Sequence, residues 1–296
     1  MRAFTSARYT VDVGRHSYPM DKYRLVPERL LQEQVLASED LLEPEAATLD
    51  DILRVHTPEY VHAFTAGTLE RKAMLRIGLP WSPELVRRAF AVIGGTIGAA
   101  HLALDDGVAV NLAGGTHHAF ADHGEGYCIF NDMVVTMQRL RAENAAHRFL
   151  VIDLDVHQGN GTAALCQADA DAFTFSMHGD GNYPARKEQS SWDIALPDGI
   201  FDEQYLDTLA TALPQILERF RPELIFYQAG VDVLAGDRFG KLALTMAGVG
   251  ERDRLVGEFA RRAGLPLVIT LGGGYAREIH HIVEAHCQTV KTAKRE

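Results

Sequence analysis

Val151-Ile152-Asp153-Leu154-Asp155-Val156-His157-Gln158-Gly159-Asn160-Gly161 is the stretch from which the rest of the chain is read. Residues 149–152 form a short apolar run suited to a strand buried on both faces, and Gly159 and Gly161 end it. Asp153, Asp155 and His157 fall at i, i+2 and i+4, so on an extended chain they project from one face. Three such groups in a buried strand would lose their hydration, which costs too much free energy unless a partner replaces it. A metal ion answers all three. Acids capping neighbouring helices would account for one Asp but not for Asp-x-Asp-x-His.

Outward from that strand, residues 108–112, 172–177, 224–228 and 266–271 are further short apolar runs rich in β-formers. A first strand is expected at 9–13. Helical stretches are expected from Pro27 onward, at 58–66, 83–104, 131–141, 203–219 and 250–263. Strands alternating with helices predict βαβ units: one α/β domain over residues 1–296, a doubly wound, mostly parallel sheet with helices on both faces. Ligands in such sheets bind beyond the carboxyl ends of the strands. His117 and His118 follow one strand, Asp155 and His157 end another, Asp232 follows a third and Tyr275 a fourth.

With 296 residues, 47% of them hydrophobic, the chain can bury a large core. Its net charge of −11 carries no nucleic-acid footprint and favours a cationic or neutral substrate over an anionic one. Residues 1–8 lack the apolar stretch of a signal peptide. The longest apolar region, 89–104, is interrupted by Gly94, Gly95, Thr96, Gly98 and His101 and reads as a buried helix, not a membrane span. Cys128, Cys166 and Cys287 are odd in number and lack CxxC spacing, as expected of reduced, mostly buried thiols in a cytoplasmic protein. The basic tail at 291–295 reads as a solvated helix end.

Asp155 and His157 need a third ligand, and Asp232, directly after an apolar strand, is the best placed. Two carboxylates and one imidazole leave positions open for water and substrate, as a catalytic site requires, and suit zinc or iron(II). In Ala113-Gly114-Gly115-Thr116-His117-His118 the glycines let the backbone approach a ligand, and the paired histidines suit acid/base work. Leu271-Gly272-Gly273-Gly274-Tyr275 lacks the Gly-Lys-Ser/Thr of a phosphate loop; its tyrosine can instead donate to an oxyanion.

Together these stretches, with Gly126-Tyr127-Cys128-Ile129-Phe130-Asn131-Asp132 and Gly236-Asp237-Arg238, resemble the histone deacetylase family, and in detail its class IV-like, bacterial-type branch. Leu79-Pro80-Trp81-Ser82 also resembles that branch. The resemblance implies the deacetylase/arginase-type fold and hydrolysis of an amide-linked acyl group on an amine such as lysine. It implies zinc on Asp155, His157 and Asp232, a histidine pair of His117 and His118 with Asp153 turned to His117, and Tyr275 as oxyanion donor. Gly126, Tyr127 and Tyr183 would line the acyl tunnel, with Gly273 beside it. A potassium ion is implied on Asp153, Ser176 and backbone carbonyls near Asp155, His157 and Met177. Arg29 resembles an arginine near the tunnel's inner end.

Asn160 stands where many relatives place an acid, and Gln158 where many have histidine; both are typical of the class IV-like branch. An amide cannot favour a protonated imidazole as a carboxylate would, so His118, if it faces Asn160, stays neutral more readily. Asp237 and Arg238 are expected to shape the loop after Asp232. His16, His56, His62, His101, His123 and His178 read as surface or loop histidines, with His178 near the site through Ser176. Three other readings stand beside the deacylase: an acylpolyamine or small-metabolite amidohydrolase, a non-catalytic acyl-lysine binding module, and a ureohydrolase of arginase type. The last needs two manganese ions and further acids, which Gly159 and the Val231-Asp232-Val233 context do not supply.

Overall fold

A computed structural model describes residues 1–295. In chain order the elements are β1 Arg2–Phe4, α1 Lys22–Gln32, β2 Leu41–Leu42, α2 Leu49–Leu53, α3 Pro58–Ala66, α4 Arg71–Ile77, α5 Pro83–Asp106 and β3 Val108–Asn111. There follow α6 Asp132–Ala142, β4 Phe149–Asp153, α7 Asn160–Cys166, β5 Ala172–Gly179, β6 Trp192–Leu196, α8 Asp202–Arg219, β7 Leu224–Gln228, α9 Met246–Ala263, β8 Leu267–Thr270 and α10 Ile279–Arg295. The strands form one eight-stranded sheet in the order β2-β1-β3-β8-β7-β4-β5-β6. Every pairing is parallel.

Strand alternation sorts the core. Leu150 and Ile152 of β4, with Ile225 and Tyr227 of β7, face a cluster built on α1, α8, α9 and α10. Phe149, Val151, Leu224 and Phe226 face the opposite cluster, under α5 and α6. All four residues 149–152 are at most 1% exposed, so the central strand is buried on both faces as its unbroken apolar run requires. A one-residue slip would exchange the two sets of side chains, which fixes the register and with it the position of Asp153 at the strand's carboxyl end. A satellite cluster of α2, α3, the start of α5, Ile129 and Phe130 lies beside this core.

The chain departs from the expected elements in identifiable places. Residues 9–13 are not a strand: Tyr9 ends a short 3-10 turn, and its hydroxyl donates to Asn111 Oδ1 at 2.9 Å. The first strand is instead Arg2–Phe4, paired with β3. Helix α1 begins five residues before Pro27, which sits inside it. The tail of α10 is not free in solvent: Lys291 Nζ lies 2.6 Å from Glu33 and Lys294 Nζ donates to the Val35 carbonyl, docking it on α1 and the turn beyond. The three cysteines are free and buried. Among the described residues no helix is long and apolar enough to cross a membrane.

Candidate active site

Because β4 ends at Asp153, strand alternation does not bring Asp155 and His157 to one side. Two tight turns do so instead. The Asp155 amide donates to Asp153 Oδ1 at 3.1 Å, and the His157 amide to Asp155 Oδ1 at 3.0 Å. Aspartate favours such bonds to the backbone two residues on, and they curl the ligands around one point.

Asp232 arrives from beyond β7, and its Oδ1 accepts from the Val156 amide at 3.0 Å, which ties the two loops together. Ligand atoms of Asp155, His157 and Asp232 lie within 4.8 Å of one another, and all three residues are buried. Asp232 Oδ2 has no hydrogen-bond partner among the described residues. His157 Nδ1 is 3.2 Å from it but not aligned as a hydrogen bond. Burial and the charge of Asp155 push the Asp232 carboxyl up to about 7. For His157, burial works downward, but the hydrogen bond to Asp155 and the charges of Asp232 and Asp155 outweigh it and push it up to about 10. An orphaned oxygen and two facing carboxylates in a dry site are strained without a cation. This donor set therefore fits zinc or iron(II).

His117 and His118 sit on the loop after β3, which Asp132 at the start of α6 pins. Its carboxylate accepts from the amides of Gly115 (3.0 Å) and Thr116 (2.7 Å) and from the Thr96 and Thr116 hydroxyls. His117 Nδ1 lies 2.8 Å from Asp153 Oδ2, and His118 Nδ1 lies 2.7 Å from Asn160 Oδ1, with the two rings 4.0 Å apart. These partners separate the pair. Burial lowers His117, but the charges of Asp153 and Asp155 overcome it and raise it to about 9. Burial, then the charges of His117 and His157, hold His118 well below the usual histidine range.

Tyr275 is gripped by its backbone: its amide donates to Asp237 Oδ2 at 2.6 Å and its carbonyl accepts from Arg238 Nε at 2.7 Å. Asp237 and Arg238 thus shape the loop by holding Tyr275. The Tyr275 ring lies 6.4 Å from that of His157, and burial raises its phenol well above its ordinary value, so it stays a donor. Gly273 lies against the ligands: its amide donates to Asp155 Oδ2 at 2.7 Å, and a Cβ there would stand 1.9 Å from Asp232 Oδ2.

A cavity of about 470 Å³ opens from these groups to the surface between Gly126, Tyr127, Tyr183, Arg76 and Phe239. A Cβ on Gly126 would sit 2.6 Å from His118 Cδ2, and both Gly126 and Tyr127 adopt left-handed backbone conformations, which turns the Tyr127 ring into the wall. The Tyr183 ring meets His118 edge-on at 5.1 Å.

The arginine at the inner end is not Arg29, whose long side chain pairs on the surface with Glu33 and Glu284. It is Arg88, 4% exposed, which with Tyr18 and Tyr23 lines a small chamber beneath the site. Arg88, next to the exposed Arg87 in helix α5, gave no signal of this position, and Tyr18 and Tyr23 precede the helix expected from Pro27. His56 lies in the loop between α2 and α3, as expected, but not at the surface. It is buried, takes the Asn131 amide on Nε2 and meets the Phe120 carbonyl at Nδ1, bracing the loop after His118. Asp153 and Ser176 are register partners across β4 and β5, with Met177 buried next to them. His178 is buried too, 2.9 Å from Ser176 Oγ.

A parallel α/β fold with a buried Asp-His-Asp cluster beside a histidine pair defines the class. A sequence model of the histone deacetylase domain matches residues 16–290. An uncharacterised protein of Picosynechococcus sp. is 45% identical over 279 residues, covering 94% of this chain and 93% of that one. Histone deacetylase clr6 of Schizosaccharomyces pombe is 30% identical over 296 residues (90% of this chain, 71% of that one). A probable deacetylase of Methanothermobacter thermautotrophicus is 32% identical over 250 residues (80% and 74%). Among solved structures, a histone deacetylase homologue from Aquifex aeolicus superposes with a TM-score of 0.84 at 22% identity, covering all of this chain and 84% of that one. The chain belongs to the histone deacetylase family.

Proposed function

We propose that this protein is a metal-dependent deacylase, with zinc the expected metal and iron(II) the alternative, that hydrolyses the amide of an acylated lysine side chain. The observation that carries the reading is the convergence of Asp155, His157 and Asp232 with His117, His118 and Tyr275 at the base of one open cavity. Asp155, His157 and Asp232 would hold the zinc ion, which would supply Lewis-acid polarisation of the acyl carbonyl and acidify water. With Nδ1 engaged by Asn160, His118 keeps a lone pair on Nε2 and takes the proton from the attacking water. His117, kept protonated by Asp153, provides positive charge beside the reacting carbonyl and a proton for the departing amine. The Tyr275 hydroxyl donates to the tetrahedral oxygen, while Gly126, Tyr127 and Tyr183 guide the side chain inward. Asp153, Ser176 and the carbonyls of Asp155, His157 and Met177 would hold the potassium ion; the register that sets Asp153 beside Ser176 supports this.

Tyr275→Phe keeps the ring and loses the donor. Its kcat on an acetyl-lysine peptide is expected to fall about a hundred- to a thousandfold with metal content unchanged; full turnover would remove Tyr275 from this role.

The chamber beyond the cluster leaves about 30 Å³, which suits an acetyl group better than a long acyl chain. At the mouth, Arg76 and Arg238 line the cavity, and among the described residues no carboxylate does. The overall negative charge favours a cationic or neutral substrate, and within that choice the two arginines at the mouth oppose a polycation. An acetyl-lysine peptide is therefore expected to exceed a monoacetylated polyamine at least tenfold in kcat/KM, and Arg76→Glu to narrow the gap. Equal values would favour the polyamine reading, and binding without turnover the non-catalytic one. The described residues contain one cluster of metal ligands, Asp155, His157 and Asp232, which supports one catalytic metal against the two of a ureohydrolase.

A further inference from the structure

Asn160 holds His118, but an amide has two ends, and Asn160 alone could present either of them. A carbonyl toward His118 requires a proton on Nδ1 and frees Nε2; an amino group there would do the reverse. The group that decides is Glu125. Its Oε1 lies 2.6 Å from Asn160 Nδ2, and an ionised carboxylate only accepts. The Asn160 amino group must therefore point at Glu125, its oxygen must point at His118 Nδ1, 2.7 Å away, and Nδ1 must carry the proton.

The carboxylate is itself well placed for this. Glu125 lies between Gly124 and Gly126, where a Cβ would come within 2.5 Å of the Cys128 carbonyl oxygen and 2.6 Å of the His118 ring, so the backbone there is closely confined. The Glu125 side chain is 14% exposed, and its second oxygen lies 3.9 Å from His123 Nε2. It also faces the Tyr183 hydroxyl, whose ring packs edge-on against His118.

We infer that Glu125 is a positioning residue that sets the tautomer of His118 through the side-chain amide of Asn160. A carboxylate thus orients the base at one remove, where direct contact would have favoured a protonated imidazole. This inference rests on His118 being the proton acceptor, but its structural part can be tested without turnover.

The test compares E125Q, E125L, N160D and N160D/E125Q on an acetyl-lysine peptide, with 15N NMR of the His118 ring in the metal-free protein. Glutamine can still accept from Asn160 and leucine cannot, so E125L is expected to lose about ten- to a hundredfold in kcat, and E125Q at least tenfold less than E125L. In N160D the introduced carboxylate confronts Glu125, and kcat is expected to fall at least tenfold. Adding E125Q supplies a donor and restores most of that loss, a rescue that a merely structural role would not produce. The NMR spectrum is expected to show the proton on Nδ1 in the parent protein and a mixture of tautomers in E125L. Equal kcat in E125Q and E125L, no rescue of N160D, or an unchanged tautomer in E125L would each overturn the inference. If E125L does not fold, the N160D pair decides. If neither the parent nor any variant turns over, the His118 tautomer in E125L against that in the parent and E125Q still decides it, and only the deacylase reading fails.

Discussion

His118→Ala is expected to lower kcat on an acetyl-lysine peptide by about a hundred- to ten-thousandfold, the span of a well-placed general base, with metal content unchanged. The expectation rests on the contrast within the histidine pair. His117 meets a carboxylate at 2.8 Å, which favours its protonated form and makes it the poorer proton acceptor. His118 meets an amide at 2.7 Å and is held well below the usual range, so its ring is neutral and one nitrogen is free. His117→Ala is expected to cost less, because it removes a charge and a donor but leaves the base. Steady-state rates of the two variants decide the assignment: a larger loss for His117→Ala would exchange the two roles.

Asp232→Asn is expected to do two opposite things, abolishing turnover by removing a metal ligand while stabilising the metal-free protein. In the absence of a cation Asp232 has an orphaned oxygen, faces Asp155 and is raised from 3.8 to about 7. At about 1.4 kcal/mol per pH unit, keeping it ionised at neutral pH costs several kcal/mol. Asparagine keeps the acceptor for the Val156 amide and loses the charge. The pH dependence has a definite sign. A carboxyl raised in the folded state destabilises progressively as pH climbs from about 4 to 7. A histidine raised in the folded state stabilises fully below about 6.5 and loses this as pH rises through its folded value, about 9 for His117 and about 10 for His157. All three act to lower the stability of the metal-free protein between pH 6 and pH 8, against an opposite contribution from the lowered His118, His56, His178 and His286. Thermal midpoints should therefore change less unfavourably from pH 6 to pH 8 in Asp232→Asn, whose midpoint at pH 8 exceeds the parent's. A variant whose change from pH 6 to pH 8 equals the parent's, or a destabilised variant, would contradict this picture of the metal-free site.

The order of strands and helices was legible because β4, β7 and β8 are apolar runs buried on both faces, and the capped helices carry their own signals. Thr57-Pro58 and Ser82-Pro83 start α3 and α5 where their side chains accept from the third helical amide. Residues 9–13 read as a strand from alternation alone, but their partners are long-range: the Tyr9 hydroxyl meets Asn111 and its carbonyl meets Arg88. Edge strand β6 was missed although Trp192, Ile194 and Leu196 alternate toward the core, because the run is only five residues long and mostly half-buried. Within the site, the ligand trio and the histidine pair were legible from residue type and position after strands. The means of convergence was not, since two side-chain-to-backbone turns replace the strand face. Arg29 misled because an arginine in a helix looks the same whether it pairs with Glu33 at the surface or, like Arg88, is enclosed beside Tyr23. Glu125 was invisible for a related reason: its meaning depends on Asn160, thirty-five residues away.

The most direct test of the account is anomalous diffraction at the zinc edge from crystals of the zinc-loaded protein. The account predicts one peak, enclosed by Asp155, His157 and Asp232, beside the His117–His118 pair. A map with no peak there, or with a second peak of equal height drawing on further acids, would contradict it.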